Sequence, residues 1–287
     1  MASCARPQAE SPRTQGVPVP AHEEHTGGLT LQGFELPEAG PSAQVFTWQQ
    51  RDPCTTVAAL RRADHMTDKG KQPLFDPRRI CLASASPRRK EALEGLGFLP
   101  VIVPVDVDET LNREEGPDRA VVRLSLLKCA DAARRSRWLR DEFATGHQNP
   151  FVIAADTVVV IRSEQLGKPF DANEAVVMLR KLSGRTHTVY SGVTVLDRRT
   201  NLHDSVAIKT RVTFSKLSEQ TIARYISTGE PLDKAGAYGI QGLAGALVTQ
   251  IVGSYSNVVG LPLSDTIDLL KKMGAISAFP FAAQDFP

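Results

Sequence analysis

The chain has 287 residues, 41% hydrophobic and 23% charged, with a formal net charge of +2. That balance fits one large or two small globular domains and excludes a whole-molecule field for nucleic acid or an anionic membrane. Four scattered cysteines, Cys4, Cys54, Cys81 and Cys129, form no C-x-x-C pair, and no apolar run reaches the roughly 18 residues of a spanning helix, so a reduced, cytoplasmic protein is expected.

Residues 1–76 are rich in Pro, Gly, Gln, Glu and Thr and read as a largely disordered extension. The opening "MASCARPQAESPRTQGVPVP" lacks the apolar core of a secretion signal, and a short helix over Thr56–Met66 is the one element expected before Arg79. From there the texture changes. "RICLAS" predicts a buried strand leading into a helix over Ser86–Gly97, with Ser86 at the N-cap, Pro87 in the first turn and Gly97 closing it. "PVIVPVD" predicts a second strand, and the spacing of Ala120, Val121, Leu124, Leu127 and Ala130 predicts a helix over Pro117–Trp138. "FVIAADTVVVI" reads as a central strand, and Asp171-Ala-Asn-Glu174 as a capping box opening a helix to Leu182.

Two strand-like runs follow, "THTVYSGVTVLD" and "SVAIKTRVTFSKL", then a helix capped by Ser218 and ending at Thr228-Gly229. A glycine-rich stretch, a further strand pair and a last helix over about Pro262–Met273 complete the pattern. The mixture predicts an α/β domain with a mixed sheet over 77–276 and a tail over 277–287.

Four segments carry chemistry. In "SASPRR" a strand runs through small residues into a helix start, which aims free N–H groups at one point. Arg88 and Arg89 stand where the helix dipole is already positive, unfavourable by about 0.3–1 kcal/mol each unless an anion binds there. Ser84, Ser86 and the two arginines are suited to phosphate oxygens, although neither a P-loop nor a G-x-G-x-x-G turn is present. In "AADTVVV", Asp156 interrupts an apolar strand, where a lone carboxylate is costly unless paired or bound to a cation, and Thr157 points to the other face. "VDVDET" places Asp106, Asp108 and Glu109 after the second strand; with Asp156 they could hold Mg²⁺. Lys128 and Lys168 are the next cations, each read singly as surface charge. Finally, "GEPLDKAGAYGIQGLAG" holds five glycines, Lys234, Tyr238 and Gln241; its apolar content predicts a packed loop, and Gln241 has the donor and acceptor needed to read a base edge.

Taken together, "LASASPRRKEAL", the Glu109 region, "AADTVVV" with "GKP", "MLRKLSGRTHTVYSGV" and "GEPLDKAGAYGIQGLAG" through "GSYSNVVGLPL" resemble the Maf family of nucleoside triphosphate pyrophosphatases over residues 79–274. The resemblance implies a twisted mixed sheet flanked by helices, two lobes around a cleft, similar to the inosine triphosphate pyrophosphatases. It implies hydrolysis between the α- and β-phosphates with Mg²⁺ or Mn²⁺, and a possible homodimer. Carried over by motif, it makes Asp156, Glu109, Lys168 and Lys128 catalytic, with Asp156 and Glu109 holding metal. Ser84, Ser86, Arg88, Arg89, Thr157 and Gln241 become substrate-binding.

Pro87, Thr157 and Gln241 side with the branch acting on dTTP and UTP, which implies house-cleaning of pyrimidine nucleotides. A purine-directed enzyme for inosine or xanthosine triphosphate, and a nucleotide-binding regulator of cell division without turnover, are the alternatives. Ala85 departs from the glycine common in the family. With little chain after the last helix, no appended methyltransferase domain is expected.

Overall fold

The structure is a computed structural model that describes residues 76–110, 114–135 and 149–282. The expected Thr56–Met66 helix, the rest of the extension before residue 76, and the stretch running on to Trp138 lie outside those residues. Strand β1 (Arg79–Leu82) runs parallel to β2 (Leu99–Ile102) on one side and to β3 (Phe151–Ile161) on the other. Beyond β3 the sheet is antiparallel, through β5 (Thr186–Asp197), β6 (Leu202–Phe214) and β7 (Val248–Val252). A short strand β4 (Glu164–Leu166) folds back on the end of β3, giving seven strands. This is the expected mixed sheet.

β3 is apolar along almost its whole length because both of its faces are covered. Its flank facing β1 is broken, however. β1 pairs with Val152 and Ile153, β4 pairs with Val159 to Ile161, and among the described residues no strand partners the segment between. The apolar cores divide at the same place. One gathers Leu82, Phe98, Ile153, Val195 and Leu270; the other gathers Val159, Ile161, Leu179, Val189 and Phe214. The two lobes implied by the resemblance correspond to these two cores, with β3 and β5 running through both, while a third, smaller cluster of Cys81, Cys129, Val152 and Leu196 packs α2 on the sheet.

The helices are α1 (Pro87–Glu94), α2 (Pro117–Arg135), α3 (Ala172–Leu182), α4 (Glu219–Ser227), α5 (Tyr255–Val259) and α6 (Leu263–Met273). Side-chain caps fix three of them. The Asp171 carboxylate accepts the Glu174 N–H at 2.8 Å, and the Ser218 hydroxyl accepts the Thr221 N–H at 3.1 Å. Gly97, at φ +87°, closes the turn after α1: its N–H donates to Glu94 and the Phe98 N–H to Leu93, the Schellman pattern.

Two expectations fail. Ser86 stands at the N-cap of α1 in extended conformation but makes no side-chain capping bond. The strand pair expected after residue 242 is one strand, β7, followed by the short helix α5. Gly253 turns the chain at φ +122°, Ser254 caps the helix, and buried Asn257 donates to the Val189 carbonyl and the Thr210 hydroxyl, contacts a strand could not keep. Among the described residues, no helix is long and apolar enough to cross a membrane.

Candidate active site

The break in β3 is where the chemistry-bearing side chains collect. Asp156 lies where the β1-side flank of β3 has no strand partner, while on the other flank it pairs with Gly192 of β5. A Cβ on Gly192 would overlap the backbone carbonyl of Val121, so α2 rests on a bare patch of sheet beside Asp156. Val121, Leu124 and Lys128 occupy one stripe of that helix, at i, i+3 and i+7, and all three are buried or nearly so. Close approach at Val121 therefore delivers Lys128 two turns later. Its ammonium donates to Asp156 Oδ1 at 2.5 Å and meets Glu109 Oε1 at 2.7 Å. The Lys128 and Asp156 side chains are only 7% and 11% exposed, whereas Glu109 is 46% exposed and open to solvent.

Lys168 follows β4 and reaches the other Glu109 oxygen at 3.5 Å. Burial pushes the Glu109 carboxyl up, but the hydrogen bond and charge of Lys128, with the charge of Lys168, hold it below the usual carboxylate range on balance. Asp106 and Asp108 do not join this group. The Asp106 N–H donates to Asp131, and Asp108 accepts from Thr110.

Thr157 points to the opposite face of β3, as alternation requires, and there meets the basic turn. Arg89 is anchored by three neutral groups: Nε donates to the Gly260 carbonyl at 2.9 Å, Nη1 to Ser84 Oγ at 3.3 Å and Nη2 to Thr157 Oγ1 at 3.2 Å. Among the described residues, no carboxylate pairs with it directly. Burial pulls its pKa down, Asp156 and Glu109 pull it up, and Arg88 pushes it down, so the acidic pair lies within its field. Thr157 Oγ1 also bonds Ser191 Oγ at 2.8 Å. Ser84 Oγ accepts from the Ser86 N–H as well as from Arg89, while the Ser86 hydroxyl is not engaged in capping. Arg88 faces away from Arg89's partners, toward Asp233 at 3.7 Å.

The loop 229–245 is packed, as expected. Glu230 folds it, accepting the Tyr225 hydroxyl at 2.8 Å and the Leu243 N–H at 2.9 Å. The Gly236 N–H donates to the Gly167 carbonyl at 2.9 Å, tying the loop to the residue beside Lys168. Gln241 sits exposed near the tip of a tight turn closed by the Gly242 N–H on the Gly239 carbonyl, at 3.0 Å. Its side chain makes no hydrogen bond among the described residues. Lys234 turns inward to the Glu230 carbonyl and serves the loop itself.

Residues 79–273 match the family described as Maf-like protein. The chain is 44% identical over 218 residues to the dTTP/UTP pyrophosphatase of Syntrophotalea carbinolica, covering 75% of this chain and 93% of that protein. The chain belongs to the Maf family. Other Maf relatives named dTTP/UTP pyrophosphatase are those of Geotalea uraniireducens, 48% identical over 69% of this chain and 96% of that protein, and Myxococcus xanthus, 46% identical over 68% and 92%. Among solved structures, the Staphylococcus aureus Ham1 protein aligns with a TM-score of 0.32 at 14% identity, covering 47% of this chain and 71% of that one.

In this Maf protein nine of the ten residues that the resemblance made catalytic or substrate-binding fall into three groups. Asp156, Glu109, Lys128 and Lys168 form one ionic chain, and Ser84, Arg89 and Thr157 one hydrogen-bonded set. Arg88 and Gln241 belong to the side of the 229–245 loop, and Ser86 contributes its backbone N–H at the turn. Sequence reasoning missed Gly192, Ser191, Gly260 and Asp233. A glycine in a β-branched run was the one signal for Gly192; the others show only once the chain is folded.

Proposed function

We propose that this Maf protein is a nucleoside triphosphate pyrophosphatase of the dTTP and UTP class, cleaving between the α- and β-phosphates to give the monophosphate and pyrophosphate in the cytoplasm. The names of its relatives support the substrate. The observation that carries the reading is that the basic turn and the acidic pair flank the same gap in β3, Arg89 bonding Thr157 and Lys128 bonding its neighbour Asp156.

Ser84, Ser86, Arg88 and Arg89 grip the triphosphate. With both acceptor sites of Ser84 Oγ in use, its one O–H remains to donate to a phosphate oxygen. The fork of Arg89, preset by Gly260 and Thr157, meets the phosphates without rearranging, which is where electrostatic catalysis of phosphoryl transfer gains most. Lys168 adds positive charge at the other lip. Thr157 acts on substrate choice through Arg89, whose guanidinium it orients, and Gln241 presents an amide to the base.

A divalent cation fits this donor set. Asp156 and Glu109 are hard oxygen donors already sharing one cationic group, and no cluster of three or more His, Cys, Asp or Glu side chains converges among the described residues. Two carboxylates with water and phosphate are what Mg²⁺ and Mn²⁺ accept. When bound, the ion supplies charge neutralisation and an acidified water. Asp156 and Glu109 would hold such an ion in place of one of their contacts to Lys128, and Asp156 would otherwise serve as the base for the attacking water.

A panel of dTTP, UTP, ITP, XTP and 7-methyl-GTP with Mg²⁺ or Mn²⁺, scored separately for pyrophosphate and orthophosphate, tests this. Pyrophosphate from dTTP and UTP is expected. Preference for ITP or XTP would favour the purine enzyme, and binding without turnover the regulator.

A further inference from the structure

The loop that carries Gln241 contains a strained residue that no hairpin explains. Arg162, Ser163 and Asn201 have positive φ in the turns of the β3–β4 and β5–β6 hairpins, where that conformation is ordinary. Ala237 also has positive φ, 59°, directly after Gly236 at 68° and within the loop. A residue with a Cβ stays in the left-handed region only where its surroundings over-determine it.

The Gly236 N–H on the Gly167 carbonyl and the Ala237 N–H on the Lys234 carbonyl hold the turn from one side, and the next residue holds it from the other. Tyr238 Oη bonds His187 Nε2 at 2.8 Å, and the rings of His187, Phe214 and Tyr238 stack edge to face at 4.8 to 5.4 Å. His187 is buried on β5, and its other nitrogen, Nδ1, has no partner among the described residues. A buried imidazole satisfied on one side only calls for an explanation. Burial lowers its pKa to about 4, so the ring is neutral across the physiological range and its bond to Tyr238 does not switch with pH there.

Beyond Tyr238 comes the turn that exposes Gln241, and beyond that the N–H groups held by Glu230. Among the described residues, the exposed Gln241 side chain makes no hydrogen bond that would aim it. The backbone on its N-terminal side is held by the strained pair, by Tyr238 and by the Gly239 N–H on the Tyr225 hydroxyl at 3.2 Å. Neither His187 nor Tyr238 bonds to Ser84, Arg89, Lys128 or Asp156.

We propose that His187 and Tyr238 are positioning residues for nucleobase recognition: their buried hydrogen bond locks the Gly236–Ala237 turn and fixes where the Gln241 amide meets the base edge, without acting on the phosphates. This rests on the reading that Gln241 contacts the base.

The test compares wild type with Tyr238→Phe, His187→Phe and His187→Gln. It measures kcat and KM for dTTP and dGTP, and the competitive Ki of inorganic tripolyphosphate, a probe with phosphates and no base. Loss of one neutral hydrogen bond in Tyr238→Phe or His187→Phe is expected to raise the dTTP KM about fivefold and narrow the preference over dGTP about threefold. In the same variants kcat and the tripolyphosphate Ki stay within about twofold.

His187→Gln, whose amide can still bond the tyrosine, is expected to behave like wild type. Tyr238→Phe keeps the ring packing, so it reports on the hydroxyl in a folded protein. Unchanged dTTP KM and preference in Tyr238→Phe overturn the proposal, and so does a KM rise matched by an equal rise in the tripolyphosphate Ki. A wild-type chain that hydrolyses neither nucleotide overturns the functional reading itself, and this role with it.

Discussion

Replacing Lys128 by Met removes the one cation lodged between Asp156 and Glu109 while keeping the length and apolar stem of the side chain. Lys128 touches both carboxylates, at 2.5 and 2.7 Å, and Asp156 is almost wholly buried. Glu109, open to solvent and still near Lys168, recovers hydration; Asp156 does not. Breaking a buried pair from one side typically costs about 3–5 kcal/mol, because the remaining charge stays uncompensated. For a domain of this size that corresponds to a fall in Tm of roughly 6–20 °C. The assay is urea unfolding at pH 7 and low salt of Lys128→Met, Asp156→Asn and the double variant.

The diagnostic quantity is non-additivity. With both charges gone no ion is stranded, so the double variant should be more stable than the sum of the single losses predicts by about 1–3 kcal/mol. If Lys128→Met stays within about 0.5 kcal/mol of wild type, or the two losses simply add, the ammonium does not compensate Asp156 and the reasoning is refuted.

Other consequences are simpler. Gly192→Ala drives a methyl into the Val121 carbonyl and lifts α2 off the sheet, so it should cost about 1–3 kcal/mol and carry Lys128 away from Asp156, visible as lost turnover. Arg89→Lys keeps the charge but not the three-way anchoring to Gly260, Ser84 and Thr157; kcat/KM should fall about tenfold or more with little change in Tm. Because the His187 pKa is lowered to about 4 by burial, the unfolded chain takes up a proton that the folded one refuses. The stability this group contributes is complete above about pH 6.5 and is lost as pH falls toward 4, by up to about 3 kcal/mol. His187→Phe should therefore lose less stability than wild type across that window; parallel pH profiles would contradict the burial of a neutral imidazole.

How much of this was legible in the sequence depends on the range of the interaction. Local signals held: the Asp171 and Ser218 caps, the Gly97 stop, and the alternation that sends Asp156 and Thr157 to opposite faces of β3. The pairing of Lys128 with Asp156 was only half legible. Its place at i+7 from Val121 on an apolar stripe was visible, but a single lysine there is as compatible with a snorkelling surface residue.

The gap in β3 was not legible, because it arises from the short lengths of β1 and β4 rather than from anything in β3's own residues. The failed strand pair had a similar cause. "YSNVVG" carries apolar residues suited to a strand, yet tertiary bonds from Asn257 to Val189 and Thr210 draw it into a helix. The unused cap at Ser86 also has a physical reading: the turn places its N–H on Ser84 and leaves the hydroxyl uncommitted.

The central claim is that a carboxylate set in the gap of β3 works against phosphates held by the basic turn across from it. Asp156→Asn, shown to be folded by circular dichroism and given dTTP with Mg²⁺, tests it most directly. The account predicts that this variant still binds the nucleotide and releases no pyrophosphate, while wild type yields pyrophosphate and thymidine monophosphate in equal amounts. Wild-type-like turnover by the folded variant, or orthophosphate as the wild-type product, would contradict it.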